Sequence, residues 1–146
     1  MKRLATVLAI CAAGQAHALS CMAPTPENIF MWAHQAEEIY VPVYGTFDVA
    51  PVKRPDVGVN ELPEGYETTG TFSGKFITRR GFGPELNTPV KVNVTCAAHW
   101  CGGTPGDGVM LAVLEKQDDG YVLHQNACPT STFREPNKKQ LNTFRK

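Results

Sequence analysis

Hydrophobic positions near the start of the chain follow a helical period, with apolar residues three or four positions apart. Thr25 suits an N-cap and Pro26 suits the first helical position, so a short helix is predicted from Pro26 onward. Trp32 widens the apolar side of this helix, and His34 is expected at the surface. The apolar side itself consists of Ile29, Phe30, Ala33 and Ala36.

From Ile39 onward the hydrophobic period becomes two, which is typical of β-strands. Pro42 predicts an edge or a bulge in the first strand, and Gly74 predicts a bend between Phe72 and Phe76 in the second. Turns are expected at 79–84 and 118–120, with a long loop at 50–68. The five predicted strands cover residues 39–47, 66–80, 90–94, 109–114 and 121–128.

A short final helix is predicted from Pro136, with Leu141 and Phe144 facing the strands. The strand at 109–114 is continuously apolar, so it is expected to be covered on both sides. Five strands between two short helices predict a small closed β-barrel, because closure removes exposed sheet edges. The fold class is therefore mainly β.

The first 18 residues have the features of a secretory signal peptide. Lys2 and Arg3 are basic, the run 4–13 is apolar, and Ala16 and Ala18 suit cleavage after position 18. Removing 18 of the 146 residues leaves a single domain at 19–146. The signal also takes two of the 14 basic residues and none of the 14 acidic ones, so the net charge becomes about −2, which does not favour nucleic-acid binding.

A periplasmic or secreted location follows from this signal peptide. A second cleavage site lies before Cys21, where lipid attachment would anchor the protein to a membrane. Lipoprotein signals usually have a large aliphatic residue three positions before the cysteine, and here that residue is Ala18. We therefore expect export without a lipid anchor, as a monomer.

Cysteine count agrees with export, because four of the five cysteines remain once Cys11 leaves with the signal. Four cysteines allow three pairings, of which Cys21–Cys128 together with Cys96–Cys101 is favoured. The first would close a loop of about 108 residues and stabilise by about 4.8 kcal/mol. The second would close about six residues and contribute about 2.2 kcal/mol.

These cysteines occur in motifs that resemble the N-terminal domain of tissue inhibitors of metalloproteinases, and more broadly netrin-like modules. Cys21 begins a Cys-x-x-Pro-x-Pro-x-x-x-Phe stretch just after the signal, and later cysteines lie in Trp-Cys-Gly and Ala-Cys-Pro. The resemblance implies a five-stranded OB-type barrel with a short N-terminal and a short C-terminal helix. It also implies that disulfides hold the N-terminal segment to the barrel, with Cys128 as the partner of Cys21.

Leu19 departs from the inhibitor pattern, since it stands where those proteins have a terminal cysteine whose α-amine and carbonyl chelate the protease zinc. Cys101, the position that holds that cysteine in the inhibitors, would instead pair with Cys96. The resemblance implies an exported protein-binding module, inhibitor-like without the usual N-terminal cysteine, with a metalloprotease as a candidate partner. Its contact ridge, a name kept below, comprises Leu19, Ser20, Met22, Pro24, His99, Trp100 and Gly102.

Two other functions remain open from the sequence. His99 lies between Cys96 and Cys101, and reduced thiols with an imidazole would suit a periplasmic metal-handling protein. In an oxidising compartment a disulfide is favoured over a metal, so no metal or cofactor is expected. No nucleophile motif accompanies the serines or histidines, which favours a binding protein over an enzyme, the third alternative.

Overall fold

The computed structural model describes residues 21–53 and 61–143. The predicted signal peptide, Leu19, Ser20 and Phe144 lie outside the described residues. The elements in chain order are α1 (Pro26–Gln35), β1 (Tyr40–Val49), β2 (Tyr66–Thr78), β3 (Gly81–Val94), β4 (Cys96–Ala97), β5 (Trp100–Cys101), β6 (Met110–Gln117), β7 (Gly120–Gln125), β8 (Thr132–Arg134) and α2 (Lys138–Asn142).

Five strands close into a barrel in the order β1–β2–β3–β7–β6, with β6 pairing back to β1. Every pair is antiparallel except β3–β7, which is parallel. This mixed, closed five-stranded arrangement is the OB-type barrel that was predicted. β8 extends the sheet beside β6, and β4–β5 form a separate two-stranded hairpin.

The barrel interior is filled by alternate residues of all five strands. Met110 and Leu114 of β6 are fully buried there, as are Phe72 and Leu123, and Phe76 packs against this core. Outward-facing residues of β6 are also covered, since Leu111 packs with Ile77 and α2 in a second cluster. The prediction that this strand is covered on both sides is confirmed.

β1 and β2 approach each other closely at Gly74, the residue for which a bend was predicted. Gly74 lies opposite Gly45, and a Cβ on Gly74 would stand 2.3 Å from the Tyr44 carbonyl oxygen. The register of the β2–β3 pair shifts directly afterwards, between Lys75 and Ile77. Pro42 pairs with Val113 of β6 but lies just before the first β1–β2 partner, Val43, so only its β2 side is an edge.

α1 begins as predicted, because the Thr25 hydroxyl oxygen accepts a hydrogen bond from the Asn28 N–H at 3.2 Å. Ile29 is buried, but Phe30 is 38% exposed, so its assignment to the covered side was wrong. Its ring instead stacks on His34, which is exposed as predicted. Trp32 makes a closer aromatic contact, with its ring centroid 4.7 Å from that of Tyr40 in β1.

The bounds of several predicted elements need correction. The expected turn at 79–84 is only two residues long, and β3 begins at Gly81 instead of position 90. Its prolines and glycines are tolerated because, among the described residues, 81–89 pair only with β2 and the pairing with β7 begins at Val90. The fifth barrel strand ends at Gln125, short of Cys128, since the chain turns there to reach β8, which was not predicted. The final helix begins two residues later than expected, at Lys138.

Candidate functional site

A disulfide between Cys21 and Cys128 ties the first described residue to the segment that follows β7. The two Cα atoms lie 5.3 Å apart. Four residues later Thr25 caps α1, and Pro26 at the first helical position is buried. Residues 21–25 are therefore held at both ends, by the disulfide and by the helix cap.

Cys96 and Cys101 are paired across the β4–β5 hairpin and bonded to each other. Ala98 in its turn has a φ of 51°, a left-handed conformation that a non-glycine residue seldom adopts. The hairpin presents an exposed His99 and leaves Trp100 63% exposed. A disulfide thus closes a short hairpin around two exposed rings.

Gly102 joins this hairpin to the barrel, because its N–H donates to the Thr95 carbonyl at 3.0 Å. Gly102 is buried, and a Cβ there would lie 2.1 Å from the Gln125 carbonyl oxygen. The Thr95 N–H in turn donates to that same carbonyl at 3.0 Å. Gly102 therefore supports the hairpin and offers little contact surface of its own.

Both described parts of the ridge border one segment, residues 125–128. The hairpin packs on it through Gly102 and Gln125, and the N-terminal segment is bonded to it through Cys128. Met22 is 82% exposed and Pro24 is half-buried. Both line a groove of about 420 Å³ between residues 21–24, α1 and residues 128–130. The ridge's Leu19 and Ser20 lie outside the described residues.

The two disulfides are relevant to the metal-handling alternative and to lipid attachment at Cys21. As a disulfide, Cys96 and Cys101 offer no thiolate to a metal, and no cluster of three or more His, Cys, Asp or Glu side chains suited to a metal ion occurs within 21–53 and 61–143. The Cys21 sulfur is bonded to Cys128, so this disulfide and a lipid on the same sulfur exclude each other. Among the described helices, none has the length and hydrophobicity needed to cross a bilayer.

A histidine–carboxylate pair that was not predicted from the sequence lies on the outside of the barrel. His124 Nε2 of β7 lies 2.5 Å from Glu115 Oε2 of β6, and both side chains are largely buried. Hydrogen bonds from Gln117 and then His124 hold the pKa of Glu115 below its ordinary value, against the effect of burial. Burial, then the charge of Glu115, raises the pKa of the neighbouring Tyr40.

The position of this pair explains why it was missed. Glu115 pairs with Val122, two residues from His124, so the contact depends on the register of β6 against β7. Spacing along the chain carries no signal of that register. The His124–Glu115 contact links β6 to β7 beside their paired backbones.

Comparison of the chain with protein-family models, with curated proteins and with solved structures finds no match.

Proposed function

We propose that this chain is an exported, disulfide-stapled module that binds a protein partner through the ridge. The observation that carries the proposal is Trp100, a large aromatic side chain 63% exposed on a hairpin that a disulfide closes. Aromatic residues are enriched among the side chains that dominate protein interfaces. A hairpin that is already ordered loses little conformational entropy when a partner binds.

The N-terminal part of the ridge adds a second contact. Met22 lines the groove and is largely exposed, and the Cys21–Cys128 disulfide holds its backbone before any partner arrives. Two disulfides also suit the oxidising compartment that a signal peptide would reach. The predicted signal peptide and the two disulfides together support export to the periplasm or the medium.

A metalloprotease is the partner class that the resemblance to the tissue inhibitors supports. Cleavage after Ala18 would leave an α-amine on Leu19, where those inhibitors place their zinc-chelating cysteine. No cysteine at position 19 is available to fix that amine through a disulfide. We therefore propose binding through the ridge side chains, with an affinity that does not depend on the protease zinc.

Affinity capture tests the ridge. Purified mature chain would be immobilised and incubated with periplasmic extract, in parallel with Trp100→Ala, His99→Ala and Ile39→Ala. Ile39 is 66% exposed, close to the exposure of Trp100, but lies outside the ridge, so it is the matched control. Loss of a central aromatic contact weakens binding by roughly 30-fold or more.

The expected result is one captured protein that Trp100→Ala loses and Ile39→Ala retains. Its affinity for the four proteins would then be measured directly, and a captured zinc protease would also be tested after zinc removal. Equal capture by wild type, Trp100→Ala and His99→Ala would contradict the ridge. Loss of binding on zinc removal from a correctly folded protease would contradict the zinc-independent mode.

A further inference from the structure

A cavity of about 310 Å³ lies between the turn of the β2–β3 hairpin and α2. This volume is at the lower end of the range for small-molecule sites, roughly 300–1,000 Å³. None of its lining residues belongs to the ridge, so it is independent of the proposed function. Its described lining consists of Ile77, Gly81, Phe82, Lys138, Leu141 and Asn142.

One wall of this cavity is apolar. Ile77 and Leu141 belong to the second hydrophobic cluster on the outside of the barrel. Phe82 continues that cluster outward, with its ring centroid 5.4 Å from that of Tyr44 and 49% of the residue exposed. A ligand with an apolar body would cover this aromatic surface and remove it from water.

Basic side chains lie in and beside the same cavity. Lys138 lines the cavity, and the adjoining two-residue turn carries Arg79 and Arg80, both exposed. Within residues 21–53 and 61–143, none of these three cations forms an ion pair, and no acidic residue lines the cavity. A positive charge beside an apolar wall is complementary to an amphipathic anion.

Local hydrogen bonds hold both sides of the cavity. Gly81 has a φ of 118°, which favours glycine, and its carbonyl accepts from the Thr78 hydroxyl at 2.9 Å. On the other side, Asn137 and Gln140 form a capping box at the start of α2. The walls are therefore formed before a ligand arrives, which reduces the entropic cost of binding.

We propose that this cavity binds a small organic monocarboxylate with an apolar body, such as a medium-chain fatty acid. The apolar body lies against Phe82 and Leu141, and the carboxylate accepts a charge-assisted hydrogen bond from the Lys138 ammonium. Arg79 and Arg80 add longer-range attraction that salt screens. An organic cation of the same length gains the apolar contact but is repelled by the three basic side chains.

Isothermal titration calorimetry with octanoate tests the proposal, and octylammonium of the same chain length is the control ligand. The intact mature chain would be compared with Lys138→Gln, Lys138→Arg, Phe82→Ala and Lys139→Gln. Lys139 is the neighbouring lysine on the same helix but does not line the cavity. Circular dichroism of each variant would confirm that it folds.

We expect octanoate to bind and octylammonium not to bind. Lys138→Gln should weaken octanoate binding about tenfold, the effect of losing a charge-assisted hydrogen bond in a half-open site. Lys138→Arg should restore most of the affinity, and Lys139→Gln should leave it within about twofold, because that charge is solvated and screened. Absence of octanoate binding, equal binding of the two ligands, or equal loss from Lys138→Gln and Lys139→Gln would overturn the proposal.

Discussion

The two disulfides close loops of very different length, and this difference predicts their separate contributions to stability. Cys21 and Cys128 are 107 positions apart, whereas Cys96 and Cys101 are five apart. A cross-link stabilises the fold mainly by restricting the unfolded chain, and the effect grows with the logarithm of loop length. The long link should contribute about 4.8 kcal/mol and the short one about 2.2 kcal/mol.

The test replaces each pair by alanine in a separate variant, because single replacements would leave a reactive thiol. Guanidinium unfolding followed by circular dichroism then measures the free energy of unfolding of both variants and the wild type. With a denaturant dependence of about 4 kcal/mol per molar, losing Cys21–Cys128 should lower the midpoint by about 1.2 M. Losing Cys96–Cys101 should lower it by about 0.5 M.

An equal or larger loss from the Cys96–Cys101 variant would refute this reasoning. It would mean that the folded hairpin itself contributes stability that loop length does not describe. The denaturant dependence should also rise in the variant lacking Cys21–Cys128, since its unfolded chain exposes more surface. An unchanged slope together with the full loss of stability would place the effect in the folded state.

Three further predictions test the core, a tight contact and a buried carboxylate. Leu123→Ala, in the barrel interior, should lower the free energy of unfolding by about 3 kcal/mol. In the same denaturation assay Leu62→Ala, at a 62% exposed position, should change it by less than about 0.5 kcal/mol. Gly74→Ala should cost about 3 kcal/mol because its Cβ would meet backbone atoms across the β1–β2 pair. Gly103→Ala should be nearly neutral, since no atom of the described residues lies within 4 Å of the added Cβ. Similar losses from the two variants would contradict the β1–β2 register. The folded-state pKa of Glu115 is lowered, so its stabilising effect is present above the unfolded pKa and is lost as the pH falls through the folded value. Glu115→Gln should therefore cost about 1 kcal/mol at pH 7. Urea unfolding over a series of acidic pH values should show this cost shrinking as the pH falls below the ordinary carboxyl range. A cost that does not change with pH would contradict an ionised, hydrogen-bonded carboxylate.

Residue types alone predicted some features of the candidate functional site and not others. Cysteine spacing and the resemblance favoured the pairing that the structure has, and an aromatic between two cysteines was expected to be exposed. Gly102 was assigned to the contact surface, yet it is buried against Gln125. A glycine in a loop has the same appearance in sequence whether it faces solvent or another strand's carbonyl.

Some strands could be predicted from the sequence and others could not. Alternation identified β1 and the last third of β3, where one face meets the core and the other meets solvent. Residues 81–89 also form strand, but their glycines and prolines are typical of a turn. Pairing with β2 along the hairpin holds these residues extended and overrides their local preference for a turn. β8 is only three residues long and carries too little periodicity to be predicted.

The sequence by itself determined the elements with a clear hydrophobic period, the cap of α1 and the mainly β class, because each depends on residues close together along the chain. Only the tertiary structure decided that β3 and β7 run parallel, that Glu115 meets His124, and that α2 forms a cavity with the β2–β3 turn. Those contacts depend on strand register and barrel closure, which are set by packing between distant segments. Cys21 depends on both the sequence and the tertiary structure. Its position after the predicted signal peptide suggested a long-range disulfide, and the fold brings Cys128 beside it.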